Sequence, residues 1–278
     1  MLDRVIKSKK VQKTETGVLS GTSDVIKGLK NIGLPAYLAF SDIRQRYRRS
    51  SLGPFWITIS TAVMIASIGV IFGNLFKAPM QEFLPFLTAG LVIWSLISSV
   101  LVDSTNAFVG AEAVIKQLPL PLFSHVERQF FRNFIIFLHN LIIFPFVCLI
   151  VGKAINLNIF LSIPGILLLS LNLLWISLVL SIVCTRFRDL GQIVSSILQV
   201  FFYVTPIMWL PSLLPQRASS MILDCNPFYH LIEVVRQPLL GNLPSLENYL
   251  NVLGYLFIGW FIALTLFNRY RSRIPYWL

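Results

Sequence analysis

RQRYRRSSLGPFWITISTAVMIASIGVIFGNLF, residues 44–76, sets a block of arginines directly before an uncharged apolar run from Phe55 to Phe76. A helix needs about 20 apolar residues to cross the hydrocarbon core of a bilayer, and this run has that length with no ionisable side chain. It reads as a transmembrane helix whose basic flank marks a cytoplasmic membrane surface. The polar stretch before Pro54 is too long for a secretory signal peptide, which carries its short apolar region close to the N-terminus, so the N-terminus is expected to be retained.

The rest of the 278-residue chain agrees. Hydrophobic residues make up 55% and charged residues 13%, with a mean hydropathy of +0.74, which leaves too little polar surface for a soluble protein of this size. Five further spans are expected: Phe83 to Val102, Asn133 to Gly152, Leu161 to Thr185, Leu190 to Leu210, and Tyr249 to Phe267. Six crossings put both termini on one side, and the basic residues choose the side. Of 23 Lys and Arg, 19 then fall inside: 11 before Pro54, then Lys116, Arg128, Arg132, Arg186, Arg188, Arg269, Arg271 and Arg273. Only Lys77, Lys153, Arg217 and Arg236 fall outside. The net charge of +11 is therefore mainly a topology signal. Nucleic acid is not an expected partner, because the charges follow the membrane borders rather than one soluble face.

Between the spans lie four segments with character of their own. Leu34 to Arg49 interleaves Leu34, Tyr37, Leu38, Ile43 and Tyr47 with arginines, as an interfacial helix does; a simple topology anchor fits the same residues. AEAVIKQLPLP, from Ala111, is a short, mildly amphipathic helix closed by Pro119 and Pro121, or an ordinary loop. TRFRDLG joins the fourth and fifth spans tightly. Pro211 to Asn248 is too polar to span and too apolar for a free loop, which points either to short helices dipping back from the outer face or to a folded cap. Before it, FFYVTPIMW crowds Phe201, Phe202, Tyr203 and Trp209 around Pro206 as interface anchors or as a surface for sugar faces.

The chain holds no GxxxxGK[ST] phosphate loop and no nucleophile motif. Asp103, Glu112 and Glu127 form no recognisable catalytic pattern, so a membrane enzyme acting on lipid-linked sugars is the weaker alternative. His125, His139 and His230 lack metal-ligand spacing, and Cys148, Cys184 and Cys225 are too scattered for a disulfide framework. A structural hydrogen bond to a neighbouring helix is expected of His139.

In order and spacing, DIRQRYRRSSLGPFW, VIKQLPLPLF, RFRDLGQI, TPIMW, NPFYHLIEVVRQPLLG and the terminal RIPYWL resemble the permease subunits of ABC-2 type exporters of lipid-linked polysaccharides, the O-antigen, capsule and teichoic acid group. The resemblance implies an all-α integral membrane protein with six transmembrane helices, divided into an N-terminal tail and interface helix (1–54), the transmembrane domain (55–268) and a C-terminal tail (269–278). It implies a bacterial inner-membrane location with both termini cytoplasmic, and a permease homodimer in a 2+2 complex with an ATP-binding subunit. The chain itself would then be no enzyme and carry no cofactor, ATP and Mg being held by the partner. Ala111, Glu112, Ala113, Val114, Ile115, Lys116, Gln117 and Leu118 would form the helix that couples to the ATPase. Arg44, Arg46, Tyr47, Arg48 and Arg49 would meet the lipid pyrophosphate. Phe201, Phe202, Tyr203, Trp209, Phe228 and Tyr229 would line the channel and outer gate. A drug or small-lipid exporter of the same superfamily is the nearer alternative. The tight turn Lys77 to Glu82, where such relatives often carry an external domain, favours a polymer.

Overall fold

The computed structural model describes residues 20–48, 50, 53, 55–211 and 223–278. Every regular element among them is helical. In chain order these are α1 (Ser20–Lys30), α2 (Gly33–Arg46), α3 (Phe55–Phe76), α4 (Met80–Ser104), α5 (Glu112–Gln117), α6 (Phe123–Leu141), α7 (Ile143–Val151), α8 (Ser162–Arg186), α9 (Leu190–Val204), α10 (Pro227–Leu239), α11 (Leu246–Tyr270) and α12 (Ile274–Trp277).

Five helices are long and apolar enough to cross a membrane: α3, α4, the continuous rod of α6 and α7, α8 with the short turn before it, and α11 with its C-terminal extension. The first matches the expected span end for end. The third starts at Phe123, ten residues before the expected Asn133, and is interrupted at Ile142. Pro145 explains the interruption, because it has no N–H to give to the carbonyl of Leu141.

The expected fifth span is shorter than the sequence implied. Helix α9 has 15 residues, which at 1.5 Å per residue reach about 22 Å against a hydrocarbon thickness of about 30 Å. It stops because Pro206 disfavours helical backbone at the residue before it, and Thr205 is extended (φ −79°, ψ 135°). The chain then bends through Pro206 to Leu210.

Helix α4 is the axis of the bundle. It packs against α3, α6, α7, α8, α9 and α10, and most of its length is buried, with Phe83, Leu87, Val92, Ile93 and Ile97 inside. In a bilayer the water-to-oil term does not drive helices together, so close packing and interhelical hydrogen bonds hold such a bundle. Ser181 of α8 donates to the Ser104 carbonyl of α4 (2.9 Å), and Asn172 of α8 donates to the Val252 carbonyl of α11 (3.3 Å). Where α8 meets α10 the backbones touch. A Cβ on Gly165 would lie 2.2 Å from the Val234 carbonyl oxygen, so only glycine fits there.

At the basic end a second, smaller core joins Val25 of α1 and Ile274 of α12 to Phe108, Phe123, Leu178 and Phe267. Within the polar stretch expected before Pro54, the residues from Ser20 to Lys30 thus form a docked helix; residues 1–19 lie outside the described residues. Its clamp is Asp24. The carboxylate accepts from the Leu122 and Phe123 amides (3.2 and 3.0 Å) at the start of α6 and from Arg271 Nε (2.8 Å). It supplies in trans the acceptor that a helix N-terminus normally takes from its own N-cap. His139 departs from expectation in its partner: Nδ1 bonds the Ile135 carbonyl of its own helix (2.8 Å), while the ring meets Phe55 edge-on.

Gly165→Val forces the α8 and α10 backbones apart and is expected to cost about 1–3 kcal/mol, the usual range for overpacking. Gly254→Ala, at a position where a Cβ meets nothing within 4 Å, is expected to be neutral or slightly stabilising. Thermal unfolding of the two variants in one detergent compares them directly, and equal melting temperatures would contradict the packing described.

Candidate functional site: a basic cleft, a polar groove and an aromatic bend

Helix α2 lies along α6 and faces it with Pro35, Ala39 and Ile43, spaced four apart, while Tyr37 and Phe40 stay exposed on the other side. A bidentate pair fixes its register. Arg128 of α6 donates from Nε and Nη2 to the two carboxylate oxygens of Asp42 (2.8 and 2.6 Å). The flat guanidinium matches a carboxylate in this way, which gives direction as well as attraction.

Between α2, the chain after α4, and α6 opens a cavity of about 500 Å3, bordered by Arg46, Arg128, Arg132, His125, Gln45 and Gln129. Of the five residues expected to meet a pyrophosphate, Arg46 is the one that lines it. Arg44 and Arg48 are exposed nearby, Tyr47 closes the helix as a half-buried C-cap, and Arg49 lies outside the described residues. Arg128 and Arg132 are committed to Asp42 and Asp103, whereas Arg46 makes no ion pair among the described residues.

Arg46 also stands at the mouth of a second cavity, of about 320 Å3, which runs between α3, α4 and α6. Its walls include Thr61, Ser95, Ser99, Asn133 and Asn140. Sequence reading passed over these residues because serine, threonine and asparagine scattered in apolar spans carry no signal of convergence. Their spacing, Ser95 to Ser99 and Asn133 to Asn140, is the trace a helical face leaves.

The segment expected to couple to an ATPase sits at the edge of the bundle, with Ala111 buried and Ile115 packed against the second core. Ala111 ends a short 3-10 turn from Val109, α5 buries none of its residues, and Leu118 is extended and exposed just before Pro119. Lys116 and Glu112 pair at 2.6 Å across one turn. The Lys116 hydrogen bond and charge hold the Glu112 carboxyl below its ordinary range, with a weaker pull from Arg188. Helix α12 packs against both α5 and α8, and Arg186 at the end of α8 stacks on Trp277 and Phe187.

At the opposite end the expected channel aromatics divide into two sets. Phe201, Phe202 and Phe228 pack into one cluster around Trp94 of α4, with ring centroids 4.9–5.9 Å apart. Tyr203 is exposed, and its carbonyl accepts from Trp209 Nε1 (3.0 Å). Tyr229 is half-buried against His230. Trp94 was missed because an aromatic inside an apolar span reads as core.

The pair beneath the bend was also missed. Arg236 of α10 was read as an outer loop charge, yet it is fully buried. One guanidinium nitrogen donates to the Pro206 carbonyl (2.6 Å), the other to Glu233, and its centre lies 4.0 Å from the Phe86 ring. Gly90 leaves room for it, since a Cβ there would lie 3.4 Å from Nη1. Asn226 reinforces the bend by donating to Thr205 Oγ1 (2.8 Å) while its Oδ1 caps α10. Glu233 and Arg236, one turn apart in the apolar IEVVRQPLL, were the available signal. Of the expected outer segment, α10 is a helix wedged between α4, α8 and α11; residues 212–222 lie outside the described residues.

Removing one partner of a buried pair leaves an uncompensated charge, so Arg236→Ala is expected to destabilise by about 3–5 kcal/mol. The double variant Glu233→Gln/Arg236→Met removes both charges and is expected to recover most of that loss. Chemical unfolding of the two in nanodiscs measures the difference, and a double variant no better than Arg236→Ala would contradict the pairing.

Three curated relatives carry the name O-antigen export system permease protein RfbA. Two from Klebsiella pneumoniae are 25% and 27% identical over 238 and 242 residues, each alignment covering 84% of this chain and 90% of the relative. One from Myxococcus xanthus is 23% identical over 202 residues, covering 72% of this chain and 77% of its own length. Residues 37–240, from the interface of α2 through the bend to the end of α10, match the ABC-2 type transporter family. On that match, and on helices long and apolar enough for several crossings, the chain belongs to the ABC-2 type transporter family of multi-pass membrane proteins.

Proposed function

We propose that the chain is the permease subunit of an ABC exporter that carries a polysaccharide linked to polyprenyl pyrophosphate out across the bacterial inner membrane, with both termini cytoplasmic. The observation that carries this reading is a pair of polar stripes on its least buried apolar helices. Helix α3 exposes Ser60, Ser67 and Asn74, seven residues apart, and α9 exposes Gln192, Ser196, Gln199 and Tyr203, spaced four, three and four. Each set lies along one face of its helix. Glutamines facing hydrocarbon are costly. Both helices pack on α4, and they hold their stripes ready for a water-filled passage shared with a second copy.

A sugar polymer needs such a wall, with hydroxyl and amide groups to exchange hydrogen bonds and a few rings to rest against. Tyr203, with Trp209 bonded to its carbonyl, supplies rings at the outer end; the Trp94 cluster behind it stiffens the bend. In this reading α9, extended through the bend, serves as the sixth crossing, α10 re-enters from the outer face, and α2 lies in the headgroup region with Tyr37 and Phe40 outward. The names of the relatives support an O-antigen-like glycan as cargo, and the lack of an external domain between α3 and α4 supports a polymer over a small lipid.

The chain supplies no phosphate loop of its own, and its family works with ATP-binding subunits. The exposed α5, flanked by Arg188 and α12, is the surface on which one seats. ATP binding draws two such subunits together, α5 passes the movement to α4 and α6 on either side of it, and the two bundles part. Only contacts that differ between closed and open states can drive this change.

The reading is tested with the complex purified from its native membrane and reconstituted in vesicles. ATP-dependent appearance of lipid-linked polysaccharide on the far side is expected, and an intact chain with no ATP-binding partner would sink the proposal. Val114→Asp with Ile115→Asp is expected to cut stimulated ATPase activity at least tenfold without disturbing insertion. Ser67→Leu with Gln199→Leu, by contrast, is expected to leave complex formation intact and lower polymer transport at least tenfold.

A further inference from the structure

Residues 21–28, GTSDVIKG, lie in a stretch whose sequence shows only polar character, and the proposed export gives them no task. They carry the buried face of α1. Gly21, Asp24, Val25 and Gly28 recur at helical spacing and are buried, while Ile26, Lys27, Leu29 and Lys30 are exposed. The glycines bring α1 close to its neighbours at both ends of that face. A Cβ on Gly21 would lie 2.8 Å from the Asn268 amide nitrogen of α11, and one on Gly28 would lie 3.0 Å from the Phe123 ring of α6. Between them Asp24, 2% exposed, accepts from the Phe123 amide on one oxygen and from the Leu122 amide and Arg271 Nε on the other (3.0, 3.2 and 2.8 Å). Thr22 adds a second tie to α11: its amide donates to Asn268 Oδ1 (2.9 Å), and its hydroxyl accepts from Asn268 Nδ2 (3.0 Å).

The position of this clamp along the chain gives it a use. The clamped amides follow α5 after only Leu118, Pro119, Leu120 and Pro121, and two prolines of fixed φ make that connector stiff. Helix α6 has no side-chain cap of its own at Leu122. Without Asp24 its first turn would be free to fray and to absorb a displacement arriving from α5. On its other side α5 meets α12, which begins three residues after Arg271. Contacts therefore run in a closed circuit from α5 through the start of α6, Asp24, Arg271 and α12 back to α5. The circuit surrounds the second core, where Phe108, Phe123, Phe267 and Ile274 pack with Ile115 of α5 against them. A close-packed unit of this kind passes on a push as a whole, whereas an open link would spend it in local bending.

We infer that Asp24 is a positioning residue for energy coupling: by holding the Leu122 and Phe123 amides and Arg271 together, it makes α6 and α11 move as one unit with α5. Closure of the ATP-binding subunits is then delivered to two spans rather than lost in a connector. From α11 the movement continues into α8 and α10, its other neighbours, and α10 is bonded through Arg236 to the bend after α9. The inference rests on the proposed export, in which an ATP-binding subunit seats on α5, and adds the link by which its work leaves that end of the bundle. Asp24 is buried and acts through what it holds. Breaking the link therefore spares partner binding and hydrolysis and costs transport.

The test uses the full complex with its ATP-binding subunit, reconstituted in vesicles, and reads partner affinity, ATP turnover, lipid-linked polymer transported per ATP, and thermal unfolding. Asp24→Asn leaves one acceptor oxygen for two amides and removes the charge facing Arg271. It is expected to keep partner affinity and ATP turnover within twofold of wild type and to lower the transport per ATP at least fivefold. Arg271→Gln, at a partly exposed side chain, opens the circuit at another link and is expected to lower the same ratio at least threefold; it decides the matter if the aspartate variant does not fold. Val25→Ala is the control for a merely structural role, since it removes packing from the same face of α1 and leaves the clamp. It is expected to lower the melting temperature at least as much as Arg271→Gln while the ratio stays within twofold. An unchanged ratio in either folded variant, a ratio that falls as far in Val25→Ala, or partner binding lost in step with transport overturns the inference and leaves the export reading standing. A wild-type complex that hydrolyses ATP and moves no polymer strikes the export reading itself, and the inference with it.

Discussion

The close packing of α4 against six other helices is the contact on which the rest of the structure depends. Because α4 is buried along most of its length, the elements that carry chemistry can be set around it at fixed positions. Its basic end offers Asp103 to Arg132 and Asn133. Its middle turns Ser95 and Ser99 into the groove, and Trp94 receives Phe202 and Phe228. Near the other end Phe86 and Gly90 form the seat of Arg236. A bundle that holds its shape by interdigitation has few intermediate arrangements, so a push at one end is met by displacement of whole helices rather than by gradual bending.

The two ends are secured by different means. At the basic end the pair of Asp42 with Arg128 lies near water and sets the register of α2 more than it adds stability, while the buried Asp24 carboxylate ties α1 to the start of α6 and to Arg271 at the end of α11. At the far end the Glu233 and Arg236 charges are removed from water altogether. A pair so placed gains little over an apolar pair in stability, and its use is directional. The Arg236 fork finds the Pro206 carbonyl at the place where proline has broken the helix, and so binds α10 to the bend after α9. The outer end of the proposed passage is thereby linked to the helix that carries the exposed glutamine stripe.

Polar side chains within the spans fall into three groups, told apart by what they face. Ser181 and Asn172 donate to neighbouring helices and act as glue. Those on α3 and α9 face outward and form stripes. Thr61, Ser95, Ser99, Asn133 and Asn140 converge on one cavity within a single protomer.

The sequence by itself determined the membrane class, the helical content and the exact extent of α3, because each rests on local chemistry: apolar length without charge and arginines at a border; for the segment after Ala111 it left a short helix and a loop both open. It also determined that α2 would be helical and basic, since Leu34 to Arg46 alternates apolar and charged residues at short range. Tertiary structure alone decided that Ser20–Lys30 is a docked helix, since its one strong anchor, Asp24, bonds amides about a hundred residues away. It alone decided that α9 ends six residues early and that the chain then bends, that Phe201 and Phe228 support a turn rather than stand free, and that Arg236 is buried. The polar groove belongs to the same class. Its residues come from three helices separated by dozens of positions, and convergence of that kind is created only by packing, which a linear reading of charge and hydropathy does not contain.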